Sequence, residues 1–93
     1  MNNRVLSFVM AGCPACDEFA PRLGRIAAPY RARGLPVHVV DIGKPMPPAL
    51  QALAKTIKAT PTTVILKGGY ETSRKVGAVA DAEIAKLLAT ATR

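Results

Sequence analysis

The sequence predicts a small α/β fold whose elements follow in the order β-α-β-α-β-β-α. Two observations support this prediction. Short runs rich in β-branched residues alternate with segments in which apolar residues recur every three or four positions, as in strands that alternate with amphipathic helices. Gly and Pro residues fall between these segments, where turns are expected. With 93 residues there is room for one compact core, and we expect a single domain over residues 1–93.

The first predicted strand covers residues 5–10 and ends at the turn formed by residues 11–12. A helix should begin near Pro14, because proline is favoured at the first helical position, where its missing N–H costs no hydrogen bond. Cys13 therefore lies between the strand and the helix. The apolar face of this helix consists of Cys16, Phe19, Leu23, Ile26 and Tyr30.

Two prolines interrupt this helical pattern. Pro21 should kink the helix, and Pro29 should end or distort it. After a turn at residues 34–36, the nearly continuous apolar run 37–42 predicts a strand that is covered on both faces. The two strands and the helix would then form a parallel, right-handed β-α-β unit.

The second half of the chain predicts a helix, a hairpin and a final helix. A proline-rich loop at 43–48 leads into the second helix, whose inner face comprises Leu50, Leu53, Ala54 and Ile57. Residues 62–67 and 73–76 should pair as a hairpin around the turn at 68–69. The last helix should open at Ala80 or Asp81 and bury Ile84, Leu87, Leu88 and Ala91.

The chain is basic, with 13 Lys and Arg residues against six Asp and Glu residues. These basic residues are spread from Arg4 to Arg93 without interleaved aromatic residues, which argues against nucleic-acid binding. No apolar run approaches the ~18 residues of a membrane span. Residues 9–13 look like a lipoprotein attachment site, but the apolar stretch is too short, and lipid on Cys13 would destroy the cysteine pair. We expect a soluble, unprocessed, cytoplasmic monomer.

The motif Cys13-Pro14-Ala15-Cys16 carries the chemistry. Two thiols at this spacing can close a small disulfide ring, and the N-terminus of a helix favours a thiolate. Cys13 precedes the helix whereas Cys16 lies on its apolar face, so we predict Cys13 as the nucleophile and Cys16 as the resolving thiol. The alternatives are a structural disulfide and a zinc site, for which the chain offers only His38 as a further His or Cys ligand.

These residues resemble the thioredoxin family. The cysteine motif, followed by Pro21 five residues after Cys16, resembles the active-site helix of thioredoxins. Residues 59–62 (Ala-Thr-Pro-Thr) are similar to the family's cis-proline segment, and residues 75–78 (Lys-Val-Gly-Ala) to its final strand and groove glycine. The resemblance implies a minimal thioredoxin fold, in which a four-stranded mixed sheet of order 2-1-3-4 is flanked by three helices.

The resemblance also implies a substrate site. The Thr60–Pro61 bond would be cis and face the cysteines, with the Thr60 backbone pairing with a bound peptide as an added strand. Gly77 would line the same groove. The alternatives are a trans proline that begins the third strand and a glycine in a β-bulge or at the end of a strand. The residues expected to contact substrate are Gly12, Pro14, Ala15, Thr60, Pro61 and Gly77.

Departures from thioredoxins, and one from glutaredoxins, bear on function. Ser7 stands where thioredoxins place a buried aspartate that assists proton transfer to the second thiol, so water or Asp17 would have to substitute. Pro14 directly after Cys13 is closer to glutaredoxins, and the chain starts at its first strand, as glutaredoxins do. Glutaredoxins bind glutathione with a glycine pair after the final strand, whereas the pair at 68–69 precedes that strand here.

We therefore predict a thioredoxin-like reductant of protein disulfides. It would need no bound cofactor or metal, and its disulfide would be recharged by a thioredoxin-reductase-type enzyme or by glutathione. A glutaredoxin-like, glutathione-dependent reductase is the first alternative. A non-catalytic binding module that retains the fold is the second.

Overall fold

The computed structural model describes residues 2–93 and contains the predicted series of strands and helices in the predicted order. Each boundary lies within a few residues of its prediction. The elements are β1 (Arg4–Val9), α1 (Pro14–Ala32), β2 (Val37–Asp41), α2 (Pro48–Ala54), β3 (Thr62–Lys67), β4 (Tyr70–Val76) and α3 (Asp81–Ala91).

The strands form one mixed sheet in the order β2-β1-β3-β4, which confirms the predicted topology. β1 pairs in parallel with β2 and antiparallel with β3, and β3 pairs antiparallel with β4. Because β1 and β2 run in the same direction, their carboxyl ends meet at one edge, which lies across the ends of the strands and not along an outer strand. The start of β3 and the end of β4 reach that edge too, since Phe8 pairs with Thr62 and Thr62 with Val76.

Each face of the sheet carries its own apolar cluster. On one face, Val5 and Ile65 pack against α1 and α3 through side chains that include Phe19 and Leu23. Because side chains alternate between the two faces along a strand, the neighbouring residues point to the other face. There the buried cluster consists of Leu6, Phe8, Val64 and Leu66, with half-buried side chains of α2 packed against it.

Helix α1 runs for 19 residues through both of its prolines. Of the two effects predicted for Pro29, ending the helix or distorting it, the first is therefore wrong. Pro29 is exposed, and its ring removes one backbone hydrogen bond without removing packing. The buried side chains Phe19, Leu23 and Ala27 hold the helix on the sheet up to its last turn. It ends where Gly34 adopts a φ of +98°.

The prediction that β2 is covered on both faces is wrong as well. This strand forms an edge of the sheet, and both His38 and Val39 are exposed. Val40 packs against the α2 cluster, but α2 is only seven residues long and leaves His38 uncovered. An apolar run does not distinguish a central strand from an edge strand that its neighbouring helix covers only in part.

Candidate active site

The cysteine pair lies at the carboxyl end of β1. The strand ends at Val9, and the chain turns through Gly12, whose φ of +74° is a conformation that glycine adopts without strain. Cys13 is the N-cap of α1, and Pro14 is the first helical residue, as predicted. Cys13 and Cys16 form a disulfide with their Cα atoms 5.2 Å apart.

The two sulfur atoms differ in their surroundings. Cys13 is half-buried, whereas Cys16 is only 3% exposed on the apolar face of α1. The backbone N–H of Cys16 donates a hydrogen bond to Cys13 Sγ at 3.1 Å, so the sulfur caps the helix in the way that a serine oxygen would. A negative charge on Cys13 would therefore be stabilised by that N–H and by the helix dipole.

The segment before β3 lies opposite Cys13. The Thr60–Pro61 peptide bond is cis, and Pro61 is buried. The Thr60 hydroxyl donates to Cys13 Sγ at 3.4 Å, and the Thr60 carbonyl oxygen lies 3.5 Å from the same sulfur. A disulfide-bonded Cys13 has no hydrogen to donate to that carbonyl. Once Cys13 is reduced, its thiol can donate a hydrogen bond to it.

Gly77 lies beside this segment, because its N–H donates to the Pro61 carbonyl at 2.7 Å. In the structure, a Cβ atom at Gly77 would have no protein neighbour within 4 Å, and the backbone there has a φ of +95°. Glycine is needed at this position because of the positive φ of its backbone, while the space in front of it is open.

We expect the variant Gly77→Ala to lose about 1–2 kcal/mol of unfolding free energy, the usual cost of placing an L side chain at positive φ. Urea denaturation would measure this loss. Gly24 offers a matched control, because it lies inside α1 without a positive φ and a Cβ there also meets open space. There Gly→Ala should stabilise the helix. A Gly77→Ala variant as stable as the parent would contradict the argument.

All of the residues predicted from the sequence to form the site come together at this edge of the sheet. Gly12, Pro14 and Ala15 are exposed beside Cys13, and Thr60, Pro61 and Gly77 lie across from it. Sequence reasoning missed two exposed apolar residues at the same edge, Met10 and Val76, which are 46% and 59% exposed. The available signal was their position next to the turn at Gly12 and next to Gly77.

Beneath α1, the predicted departure at Ser7 has a definite structure. Ser7 and Thr63 are fully buried neighbours on adjacent strands, and their hydroxyl oxygens lie 3.0 Å apart in a hydrogen bond. Side chains two residues apart on a strand point to the same face. Ser7 and Thr63 therefore share the face of Val5 and Ile65, which α1 covers. A neutral hydroxyl pair thus lies where the resemblance to thioredoxins implies a buried carboxylate, and Asp17 is exposed in the first turn of α1.

We expect Ser7→Ala to lower the unfolding free energy by about 1–3 kcal/mol, since it leaves the Thr63 hydroxyl buried without a partner. The double variant Ser7→Ala/Thr63→Val removes both polar groups and should recover most of that loss. Chemical denaturation of the single and double variants gives the coupling between the two side chains. A double variant no more stable than Ser7→Ala would show that the hydrogen bond is not the source of the loss.

Two other motifs lie away from the disulfide. The glycine pair at 68–69 is at the opposite end of the sheet, where the Gly68 N–H donates to the Asn2 carbonyl at 3.3 Å. His38 is exposed on the edge strand β2. Among residues 2–93, no group of three His, Cys, Asp or Glu side chains is placed to hold a metal ion. In the described part of the chain, no helix is both long and apolar enough to cross a membrane.

The sheet order, the flanking helices and the Cys-x-x-Cys disulfide opposite a cis-proline define a minimal thioredoxin-like fold. No protein-family model and no curated protein sequence matches the chain. Its likeness to thioredoxins is instead a likeness of structure.

Several solved thioredoxins superpose on nearly the whole chain. A thioredoxin of Malassezia sympodialis (Mala s 13) has a TM-score of 0.81 at 21% identity, covering 98% of this chain and 76% of its own. Thioredoxin NaTrxh from Nicotiana alata has a TM-score of 0.77 at 25% identity, covering 95% and 71%. The Schistosoma mansoni thioredoxin pre-protein gives 0.77 at 24% identity, covering 95% and 77%. At these identities the likeness shows the fold, and the chemistry depends on the site described above.

Proposed function

We propose that the protein is a thiol–disulfide oxidoreductase that reduces disulfides of protein substrates with its Cys13 and Cys16 thiols. The observation that carries this proposal is the asymmetry of the pair. The Cys13 sulfur is partly accessible and accepts a helix N–H, whereas Cys16 is buried behind it. A structural disulfide has no need of an accessible sulfur poised at a helix N-terminus.

In the first step, the Cys13 thiolate attacks one sulfur of the substrate disulfide. A bond forms between Cys13 Sγ and that sulfur, the substrate S–S bond breaks, and the second substrate sulfur leaves as a thiolate that takes up a proton. The Cys16 N–H and the helix dipole lower the energy of the attacking thiolate. The Thr60 hydroxyl, which already points at Cys13 Sγ, adds a further donor.

In the second step, the Cys16 thiol loses its proton and attacks Cys13 Sγ. The Cys13–Cys16 bond forms, the mixed disulfide breaks, and the substrate leaves with both sulfurs reduced. The protein is now oxidised by two electrons, in the disulfide state that the structure shows. With a neutral Ser7–Thr63 pair beneath α1, we propose that the proton of Cys16 passes to the leaving substrate thiolate or to water.

Thr60 and Gly77 lie on the same side of Cys13, linked through the Pro61 carbonyl, and the open space in front of Gly77 leaves room for the groove that we propose for an extended peptide. We propose that the substrate adds a strand along the Thr60 backbone, as peptides do at exposed backbone edges. Met10 and Val76 provide exposed apolar surface near the ends of β1 and β4. Gly12, Pro14 and Ala15 would contact the residues around the substrate cysteine.

A thioredoxin-reductase-type donor is favoured over glutathione. The glycine pair at 68–69, which precedes the final strand, is at the far end of the sheet from Cys13. It therefore cannot contribute to a glutathione subsite at the thiol. We propose that the chain acts as one domain and as a monomer, in a reducing compartment such as the cytoplasm.

Reduction of insulin tests the proposal. The purified protein with NADPH and a thioredoxin reductase should reduce insulin faster than with glutathione and its reductase, and the double variant Cys13→Ser/Cys16→Ser should be inactive with both. Turnover supported by glutathione alone would favour the glutaredoxin-like alternative. An absence of turnover with either donor would favour the binding module. Equilibration with a glutathione buffer checks the direction, since a reductant should lie nearer ~−270 mV than ~−120 mV.

A further inference from the structure

We propose that Arg22 is a positioning residue that sets the width of the substrate groove, by tying the active-site helix to the loop that carries Gly77. This inference rests on the proposed function, because it concerns the binding of an extended substrate. Neither the cysteine motif nor the family resemblance points to Arg22. The contacts of its side chain do.

The Arg22 guanidinium spans two elements. Its Nε and Nη2 atoms donate to the two carboxylate oxygens of Glu18, one turn earlier in α1, at 2.6 and 2.8 Å. Its Nη1 atom donates to Asp81 Oδ1 at 2.7 Å and to the Val79 carbonyl at 2.9 Å, and Nη2 lies 3.5 Å from the Ala78 carbonyl. These five contacts match the five N–H donors of a guanidinium.

The contacted loop is the one that forms a wall of the groove. Ala78 and Val79 directly follow Gly77, and the Val79 N–H donates to the Gly77 carbonyl at 2.9 Å. The Gly77 N–H in turn donates to the Pro61 carbonyl, and Thr60 contacts Cys13. A closed series of contacts thus leads from α1 through Arg22 and the loop back to the N-cap of α1.

Arg22 suits this role because it is partly shielded and stays charged. Its side chain is only 20% exposed and stacks over the Phe19 ring, with 5.6 Å between the guanidinium carbon and the ring centroid. The hydrogen bonds from Arg22 hold the pKa of Glu18 below its usual range, and those from Glu18 and Asp81 raise the pKa of Arg22. The ion pair of Arg22 with Glu18 therefore stays charged near neutral pH.

Residues 77–80 lie between β4 and α3, outside both, so no sheet or helix ladder holds them. Backbone bonds hold Gly77 to Pro61 and Val79 to Gly77, and side-chain contacts hold the outer side of the loop. Val79 packs partly against the apolar cluster beneath α1. Arg22 is the contact that fixes the two carbonyls on the outer side of the loop. Without it, the distance between Gly77 and Cys13 should vary more, and an extended substrate that touches both walls should bind less tightly.

The test compares a protein disulfide with a small one. Arg22→Met keeps the side-chain stem and removes every donor. We expect kcat/KM for insulin to fall roughly 5- to 20-fold, mainly through a higher KM, because uniform binding is lost. The rate with the neutral small disulfide dithiodipyridine, which needs no groove, should change less than twofold. Arg22→Lys keeps the charge without the fork and should fall between Arg22→Met and the parent.

Arg25→Met is the matched control. Arg25 pairs with the same Asp81 at 3.6 Å but is 66% exposed, and in the described part of the chain its side chain contacts no carbonyl of the loop. Both of its rates should stay at the parental values. Equal losses with both disulfides for Arg22→Met, or a parental KM for insulin, would overturn the proposal.

A second readout does not depend on activity. The Gly77 amide, bonded to the Pro61 carbonyl, should exchange its hydrogen faster in Arg22→Met and Arg22→Lys than in the parent and in Arg25→Met. Unchanged exchange would overturn the positioning role even where turnover falls. If the parent reduces neither disulfide, the proposed function fails, and the exchange rate still decides whether Arg22 fixes the loop.

Discussion

A Cys16→Ser variant is expected to remain covalently attached to its substrates. Cys13 is the accessible sulfur and keeps its N–H donor, so the first attack proceeds. The buried Cys16 is the group positioned to release the mixed disulfide, and serine cannot do so. Steady-state turnover should fall by several orders of magnitude. Non-reducing electrophoresis with mass spectrometry should show substrate bound through Cys13.

The reciprocal variant is the control for this assignment. Cys13→Ser should be equally inactive in turnover but should trap no protein, because the remaining thiol of Cys16 is 3% exposed. Cys16→Ser should therefore trap substrate and Cys13→Ser should not, although both lose turnover. Trapping by Cys13→Ser, or equal trapping by both, would reverse or cancel the assigned roles.

Phe8→Ala is expected to cause the largest loss of stability, about 3–5 kcal/mol of unfolding free energy. Phe8 is fully buried and lies in the cluster beneath α2, so the variant removes a large ring from a site that cannot collapse fully. Domains of this kind have only about 5–15 kcal/mol in total. Urea unfolding followed by circular dichroism would measure the loss.

Tyr70→Ala provides the comparison, since Tyr70 has a similar volume but is 78% exposed at the end of the hairpin. Its effect should stay within about 0.5 kcal/mol. If Phe8→Ala cost no more than Tyr70→Ala, the apolar cluster on the α2 face would not be a source of stability.

Local patterns predicted most of the fold because each element carries its own signal. The buried face of α3 (Ile84, Leu87, Leu88 and Ala91) is the one that its spacing predicted. Predictions failed where tertiary context decides. The apolar run of β2 does not reveal that the strand lies at an edge, and Pro29 does not reveal that packing of α1 on the sheet outweighs one lost hydrogen bond.

The site was predictable to the extent that it is built from a linear motif and from glycine or proline at special backbone positions. Gly12 and Gly77 both have positive φ, and Pro61 follows a cis bond opposite Cys13. Arg22 was not predictable, because an arginine on an exposed helix face resembles any other until Ala78 and Val79 are brought beside it. The Ser7–Thr63 pair likewise needs the register of β1 against β3.

The shallow packing of α2 has a further consequence. None of its residues 48–54 is buried, and the helix is held through half-buried side chains such as Leu50 and Leu53. Regions with few buried contacts form separate cooperative units that open at lower free energy than the whole molecule. Helix α2 and the loops that flank it should therefore sample sub-global openings while the sheet and α1 stay intact, leaving the disulfide on the most persistent part of the protein.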